Sequence, residues 1–364
     1  NNQHLNAYPY FSSRSDAKPK FISNQPGASL GGPLKKNRIF YFVSYERTGE
    51  NSNATRFLDV PTAEMRMGDL SGSPSAIYDP MSGAAFDPAR PSAYAGDRTP
   101  FPGKQIPLAR FSPVTRRILD RPEWALPNFT GTGALGINLN YLASVPYWTK
   151  RDQVDTKVNY QLTDKWTAFH RLSYLWFDQN NPAPFGILGG SPVQATNGRT
   201  GFGYGPTYST TLSTTYVASP NLVLDAYWGY TLQDINAYPE GADQNFARDV
   251  LGIPGTNGGD VFSGGMARLI IDGFTQLGYS QVSPNFFTDH QFQYAANGNW
   301  TSGRHNVRFG FETLGFNLNQ QVANPAGGTG GPSGGFNIRG DTTTLRGGPA
   351  RSEEHTSELQ SLSH

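Results

Sequence analysis

The chain has 364 residues, a formal net charge of +1 and no cysteine, and its charged fraction of 16% is below the roughly 25% of an average soluble domain. The lack of cysteine excludes a disulfide framework and thiolate metal sites, and the balanced charge argues against a nucleic-acid partner. No run of about 18 apolar residues is present, which excludes a transmembrane helix. An aromatic fraction of 13% with so few charges is usual for a membrane β-barrel.

We expect neither end of the sequence to be a natural terminus. The chain begins at Asn1 without an initiator methionine or a signal peptide, which indicates a truncated N-terminus. Residues 351–364 resemble the in-frame translation of a common sequencing-library adapter. We therefore interpret 1–350 and set 351–364 aside as a non-native tail.

The first predicted element is a hairpin. An extended run from Lys20 ends at Gly31-Gly32-Pro33, and Lys35-Lys36-Asn37 form a polar tip that favours a turn. The segment 38–47 is rich in aromatic and β-branched residues, which is typical of a strand.

A long, proline-rich connection, 49–149, follows the hairpin. It shows little periodicity, and a connection of this length is unusual in a compact soluble domain but expected of an extracellular barrel loop. Two short helices are predicted within it. One begins after the N-cap Thr62 and stops at Gly68, and the other runs from Ser112 to Leu119.

From Asp152 onward, apolar and polar residues alternate, which predicts strands with one dry face and one wet face. Three further strand pairs are predicted, and each has a short turn; the turns are 163–165, 218–221 and 301–304. Long loops separate the pairs or follow them; they cover about 178–205, 236–286 and a glycine-rich stretch from 325. The glycine-rich run 201–205 is placed in the first of these loops, and a helix from Ala242 to Leu251 in the second.

The order of strand, short turn, strand and long loop occurs four times. It gives about eight strands of roughly 10–14 residues, a length that suits tilted membrane strands. Antiparallel pairing would bring all short turns to one side and all long loops to the other, whereas a soluble sandwich has loops of mixed length at both ends. The predicted fold class is all-β: a partial transmembrane antiparallel β-barrel with long extracellular loops. Eight strands cannot close a large barrel, and open edges favour aggregation.

Alternation assigns side chains to the two faces of these strands. Charged side chains of the polar face are predicted to face the lumen: Asp155, Lys157, Arg171, Asp225, Arg308 and Glu312. Aromatic side chains of the apolar face, near strand ends, are predicted to form girdles at the bilayer interfaces: Trp166, Trp176, Tyr208, Tyr216, Trp228, Tyr230 and Trp300. Two alternatives to specific roles stay open. The charged side chains could serve only to keep the lumen hydrated, and the aromatic residues could be present only because they favour strands.

One hairpin carries a family resemblance. Residues 30–46, Leu-Gly-Gly-Pro-Leu-Lys-Lys-Asn-Arg-Ile-Phe-Tyr-Phe-Val-Ser-Tyr-Glu, resemble the first barrel hairpin of Oar-like TonB-dependent outer-membrane receptors. Segments 60–66, 77–80 and 106–113 resemble the same family, and the resemblance covers most of 20–318. It implies that 1–350 is a fragment of a barrel of about 22 strands that holds an N-terminal plug.

The resemblance also implies a function. Such receptors bind a scarce solute at the outer loops and the plug, and import it with energy that TonB relays from the proton-motive force. The expected partners are the TonB–ExbB–ExbD system, through an N-terminal region that this sequence lacks, outer-membrane lipid and an unidentified solute. The long loops favour a bulky solute; siderophores, oligosaccharides and peptides stay open. The plug, the TonB box and the extra N-terminal regulatory domain that Oar-like members often carry are absent from this sequence.

No enzyme, cofactor or metal site is predicted. His170 and His290 fall on apolar faces, where a packed imidazole is more frequent than a metal ligand. Residues 258–260 could contact Ca²⁺, but a turn without a bound ion is the favoured interpretation. Two other functions remain open at this point. One is a structural or adhesive outer-membrane barrel without a plug, and the other is a soluble secreted β-protein that binds glycans through aromatic loops.

Overall fold

The computed structural model describes residues 20–82, 98–191, 200–279, 283–322, 333–338 and 340–343. The predicted tail 351–364 and most of the glycine-rich loop predicted from 325 lie outside these residues. A large antiparallel sheet dominates the described chain, and its strands follow one another in sequence order. Its members are β1 (Phe21–Asn24), β2 (Gly27–Lys35), β3 (Ile39–Leu58), β4 (Tyr141–Thr163), β5 (Trp166–Asn181), β7 (Gly201–Ser219), β8 (Leu222–Tyr238), β11 (Asn285–Ser302) and β12 (His305–Val322).

The segments β1 and β2 are two parts of one edge strand. Asn24 lies opposite Gly49 and Gly27 opposite Glu46, so both segments pair with β3 in the same register. The interruption falls at Pro26, which has no backbone N–H, although its carbonyl still accepts from Arg47 N at 2.9 Å. The sheet therefore has eight strand positions, and the predicted number of strands is confirmed.

Short turns and long connections lie at opposite ends of this sheet. The turns within strand pairs are 36–38, 164–165, 220–221 and 303–304. Because neighbouring strands are antiparallel, these four turns share one end, and the connections 59–140, 182–200 and 239–284 share the other. The predicted asymmetry is confirmed, and the all-β antiparallel fold with it. The sheet is open, with β1 and β2 at one edge and β12 at the other.

The strands are longer than the sequence predicted. The seven strands other than the split edge strand have 16 to 23 residues, not 10–14. The predicted loop 49–149 is shortened at both ends, because β3 continues to Leu58 and pairs with β4 from Tyr141 onward. A membrane strand needs only about 9–11 residues to cross the bilayer, so strands of this length are long enough to extend beyond it.

Two glycine-rich stretches that were predicted as breaks or loops belong to strands. Gly31-Gly32-Pro33 lies inside β2, where a proline is tolerated because the strand is at the sheet edge. The run 201–205 opens β7 and pairs with the end of β5, so its placement in a loop was wrong.

The long connections contain short elements of their own. Both predicted short helices are present, as α1 (Ala63–Arg66) and α2 (Pro113–Leu119); Thr62 is the N-cap of α1, as predicted, and Ser112 is the N-cap of α2. The predicted helix 242–251 is reduced to a π-helical turn, Phe246–Val250, because Gln244 O instead accepts a hydrogen bond from Gly265 N. Shorter 3₁₀ turns cover Pro102–Lys104, Leu108–Arg110, Gly186–Leu188 and Gly340–Thr343. No helix among the described residues is long and apolar enough to span a membrane.

A second, small sheet forms among these connections. Its strands are β6 (Gly189–Ser191), β9 (Arg268–Ile271), β10 (Gln276–Leu277) and β13 (Gly335–Ile338). Here β13 pairs with β9 in parallel, and β10 joins β9 to β6. We call the described parts of 59–140, 182–200, 239–284 and 333–343 the cap.

The cap, rather than the main sheet, holds most of the hydrophobic core. Fully buried side chains from all three long connections pack together there, among them Ile77, Ile118, Trp124, Phe185, Leu188, Leu251, Met266, Leu269, Ile271 and Leu277. Large apolar side chains of the main sheet are exposed instead, and Phe311 retains 65% of its accessible surface. The long connections are thus folded over one another, whereas many large apolar side chains of the sheet stay exposed.

Candidate functional site

Strand registers place all six charged candidates on one face of the main sheet. Residues opposite each other in antiparallel strands project from the same face. Lys157 lies opposite Arg171, and Asp225 opposite Asn297. Followed across successive pairs, the registers put Asp155, Lys157, Arg171, Asp225, Arg308 and Glu312 together on what we call the polar face.

Asp155 organises one cluster on the polar face. Its Oδ1 accepts from Ser173 Oγ and from Arg171 Nη2, the latter at 3.0 Å, and its Oδ2 accepts from Gln153 Nε2 at 2.8 Å. The Asp155 side chain is 19% exposed, whereas that of Arg171 is 57% exposed. Lys157 lies beside this cluster with its Nζ 4.4 Å from the centroid of the Phe169 ring.

A second cluster lies on β8, β11 and β12. Glu312 Oε1 accepts from Gln293 Nε2 at 2.6 Å and from Tyr227 OH at 3.2 Å. Asn297 Nδ2 donates to Asp225 Oδ2 at 2.8 Å. Arg308, Asp225 and Glu312 line one groove of about 660 Å³. The structure therefore groups the six candidates into two clusters on one face.

Sequence reasoning missed the uncharged members of these clusters. Ser173 lies opposite Asp155, and Asn297 lies opposite Asp225. Gln293 lies on β11, between the strands that carry Tyr227 and Glu312. Alternation assigns each to the polar face, but only the register shows which polar side chain faces which charge.

The seven aromatic candidates share the opposite face, which we call the apolar face. Contacts between rings there include Trp166 with Tyr216 at 6.2 Å, Trp176 with Tyr204 at 6.0 Å, Tyr174 with Tyr208 at 4.9 Å and Tyr230 with Phe292 at 5.0 Å between centroids. Trp228 and Tyr230 stack within β8 at 6.5 Å. These two lie in the middle of β8, not near its end, because the strand runs on to Tyr238.

Two histidines of the apolar face, His170 and His290, bond to neighbouring strands. His170 Nε2 lies 2.9 Å from Thr210 Oγ1, and His290 Nδ1 lies 2.9 Å from Tyr230 OH. Each imidazole therefore bridges two strands of the sheet, as a packed histidine does.

The cap is joined by hydrogen bonds between segments far apart in sequence. The buried Asn140 pairs with the backbone of Val60: Val60 N donates to Oδ1 at 2.9 Å, and Nδ2 donates to Val60 O at 2.8 Å. Thr275 N donates to Asp59 O at 3.0 Å, and Gly278 N donates to Leu188 O at 2.8 Å. All three long connections are therefore fixed to one another.

Arg66 joins the two α-helices of the cap. Its guanidinium donates to the carbonyls of Leu119, Trp124 and Ala125 at 2.7, 2.5 and 2.8 Å. The same group lies over the Trp124 ring, 5.8 Å from its centroid. Burial lowers the pKa of Arg66 from its ordinary value. The side chain thus ties the end of α2 and the residues that follow it to α1.

Two carboxyl groups of the cap flank Gly186 and are perturbed in opposite directions. Burial raises the pKa of Glu240, an effect that a hydrogen bond from the Ala183 backbone partly offsets. For Glu123, burial is opposed by hydrogen bonds and charge attraction from Arg121, and the pKa is lowered. Burial, and then the charge of Glu240, raise the pKa of Tyr279, whose hydroxyl donates to Gly186 O at 3.0 Å.

Asp260 takes part in a plain turn. Its Oδ1 accepts from Ser263 N at 2.8 Å and from Ser263 Oγ at 2.9 Å. The carboxylate is thereby committed to the turn backbone. Within the residues that the structure describes, no group of three or more His, Asp or Glu side chains could hold a metal ion.

Comparison with known proteins points in the same direction as the geometry. A family model described as "Outer membrane beta barrel domain" matches residues 1–362. No curated protein matches the chain.

Proposed function

The chain belongs to the outer membrane beta barrel domain family and lies in the outer membrane, and from this premise we propose that it is the barrel of a TonB-dependent receptor. In this proposal the barrel binds a bulky, scarce solute at its outer side and imports it with TonB-coupled energy. The subtype is supported by the resemblance of 30–46 to Oar-like receptors.

The observation that carries the proposal is the folded cap. Three long connections at one end of the sheet share a single hydrophobic core and are linked by backbone hydrogen bonds, from Thr275 N to Asp59 O and from Gly278 N to Leu188 O. Ordering so many loop residues has a large entropic cost. A preorganised outer surface is what a solute receptor needs, because loops that are already ordered lose little entropy on binding.

The polar face supports a solute path. Asp155, Arg171, Glu312 and Arg308 present both signs of charge on one face of the sheet, within two hydrogen-bonded clusters. We propose that this face lines the lumen, and that the apolar face, with its exposed aromatic rings, contacts lipid. The proposed energy-coupling partner is the TonB–ExbB–ExbD system, reached through a region N-terminal to Asn1.

The outer-membrane family is incompatible with the alternative of a soluble secreted protein. A structural or adhesive barrel is the alternative that the experiment must distinguish. It would use the cap as an adhesive surface and would need no TonB.

The test is uptake by the full-length gene product in an isogenic pair of hosts, with and without TonB. Labelled siderophores, oligosaccharides and peptides are offered in parallel. We expect accumulation of one class of solute, and only in the host with TonB. Binding without accumulation in either host would leave the adhesive function and contradict the proposal.

A cap variant sharpens the test. Phe129 is 52% exposed and packs edge-on against Phe57, so Phe129→Ala trims an aromatic surface of the cap without touching its core. Met81→Ala, at a position that is 64% exposed, is the matched control. A weaker apparent affinity for the solute in Phe129→Ala, but not in Met81→Ala, would locate binding at the cap.

A further inference from the structure

A row of small residues crosses the apolar face of the sheet. Ala168 lies opposite Thr214, Thr214 opposite Ala226, and Ala226 opposite Ala296. The four side chains therefore follow one line across β5, β7, β8 and β11, at right angles to the strands. Strands are spaced about 4.8 Å apart, so the row is about 14 Å long.

Large side chains stand on both sides of this row. On the side of the short turns they are Trp166, Tyr216 and Leu224, and on the other side Leu212, Trp228 and Tyr294. Two grooves of about 560 and 540 Å³ follow the row and share Trp166, Thr214, Ala226 and Ala296 as lining residues. Together they form one continuous depression, which we call the trough.

The floor and walls of the trough are apolar. Its polar groups bond to each other: Trp166 Nε1 donates to Thr214 Oγ1 at 2.6 Å, and Thr214 Oγ1 donates to Thr167 O at 3.0 Å. Asp225 and Asn297 also border the trough, but their side chains bond to each other on the polar face. Such a lining suits an apolar ligand, because burying unpaired polar groups is costly.

The short-turn end of the sheet is positively charged. The described turns and the residues next to them contain one acidic side chain, Asp164, and five basic ones. The basic side chains are Lys35, Lys36, Arg38, Lys165 and Arg304. Lys165 directly precedes Trp166, which forms a wall of the trough. Basic residues beside an apolar membrane surface attract anionic lipid headgroups.

We propose that the trough binds one acyl chain of an anionic phospholipid, whose phosphate is held at the short-turn rim by Lys165. The positive charge at the short-turn end selects an anionic headgroup, and the row of small side chains leaves space for the acyl chain. One leaflet of the hydrocarbon core is about 15 Å thick, close to the length of the row. Barrel strands are tilted by about 35–45°, so a trough across them is inclined and leads from the interface into the hydrocarbon. The site depends on the membrane location only and is independent of solute import.

Native mass spectrometry of the full-length protein, released from detergent with phosphatidylglycerol present, tests the site. The double variant Ala226→Leu/Ala296→Leu fills the trough, and Ala28→Leu places the same change on the apolar face outside it. We expect one tightly held lipid in the wild type, at least tenfold less in the double variant, and no change in Ala28→Leu. Equal retention by all three proteins would overturn the proposal.

Two further arms test the headgroup and the fold. Phosphatidylethanolamine with identical chains should be retained less well than phosphatidylglycerol, and Lys165→Gln should reduce phosphatidylglycerol retention to that lower level. Equal retention of the two lipids by the wild type would overturn the assignment of an anionic headgroup. Heat-modifiable migration of each variant shows that the barrel is folded, so that lipid loss in the double variant reports on the trough.

Discussion

Phe309 lies directly opposite Gly298 in the β11–β12 ladder, and its ring covers the glycine so closely that a Cβ at Gly298 would overlap it. The ring thereby shields the backbone of a glycine that has no side chain of its own. Gly205 is crowded for a different reason: a Cβ there would overlap the carbonyl oxygen of Asp234. One glycine is thus covered by a side chain that can move and the other by backbone.

The two glycines should therefore differ in their tolerance of alanine. We expect Gly205→Ala to lower the free energy of unfolding by about 1–3 kcal/mol, because the backbone of β8 must shift. Gly298→Ala should cost less than about 1 kcal/mol, since Phe309 is 55% exposed and can rotate away. Urea unfolding of the full-length protein in lipid vesicles measures both. Equal losses would show that the ring of Phe309 is as fixed as the backbone.

The paired bonds of Asn140 and Val60 give a second prediction. Replacing the buried Asn140 by leucine leaves Val60 N and Val60 O without partners, at about 1–3 kcal/mol for each group. Asn128 makes the same paired contact with the backbone of Leu142 but is exposed, so water can replace its amide. We expect Asn140→Leu to increase amide exchange throughout the cap.

Asn128→Leu is the matched control for that experiment. It should change cap exchange little, and its effect on the free energy of unfolding should stay within about 1 kcal/mol. If both variants loosened the cap equally, burial would not be the reason that Asn140 matters.

The third prediction concerns Arg66, whose guanidinium reaches three carbonyls at once. A lysine cannot reproduce this fork, so Arg66→Lys should destabilise the cap by about 1.5–3 kcal/mol through lost charged hydrogen bonds. Limited proteolysis within the cap is the measurement. Arg116→Lys is the control: exposed Arg116 donates to one carbonyl, Leu108 O, and lies over the Phe111 ring, so its replacement should cost less than about 1 kcal/mol. Equal protease sensitivity in the two variants would contradict a role of Arg66 in joining the helices.

The main sheet was largely predictable because the alternation of apolar and polar residues can be seen within each strand. In a membrane barrel one face contacts lipid and the other water, so the period of two is visible within each strand, as in the alternation from Val154 to Leu162. The four short turns follow from the same pattern. Strand lengths were not predictable, because β4 begins at Tyr141, before the clear alternation, and pairs there with the end of β3, which is distant in sequence.

The cap was not predictable, because its order comes from contacts between distant segments. The parallel pair of β13 and β9 joins Gly335 to Arg268, and neither four-residue segment shows a pattern. Thr62 could be recognised because an N-cap is a local signal. The Val60–Asn140 pair spans 80 residues and has no local signal. The same limit applied to the trough, which depends on the register of four strands.

The last prediction uses the opposite pKa shifts of Glu240 and Glu123. The pKa of Glu240 is raised in the folded state, so the native protein binds its proton more tightly than the unfolded chain does. Stability contributed by this group is therefore lost as pH rises from the unfolded value, near 4.5, through the folded pKa. Glu240→Gln should stabilise the cap at about pH 7, and the gain should disappear below the unfolded pKa.

Glu123 should behave in the opposite way. Its pKa is lowered in the folded state, so its contribution is present above about 4.5 and is lost as pH falls through the folded pKa. Glu123→Gln should then destabilise the cap at about pH 7 and have little effect in acid. Hydrogen exchange of cap amides at about pH 7 and pH 4 measures both variants against the wild type. The two carboxyls flank the same glycine, Gly186, so a general change of the cap would move both variants in one direction. Shifts of the same sign would show that burial of Glu240 and the pairing of Glu123 with Arg121 do not control the stability of the cap.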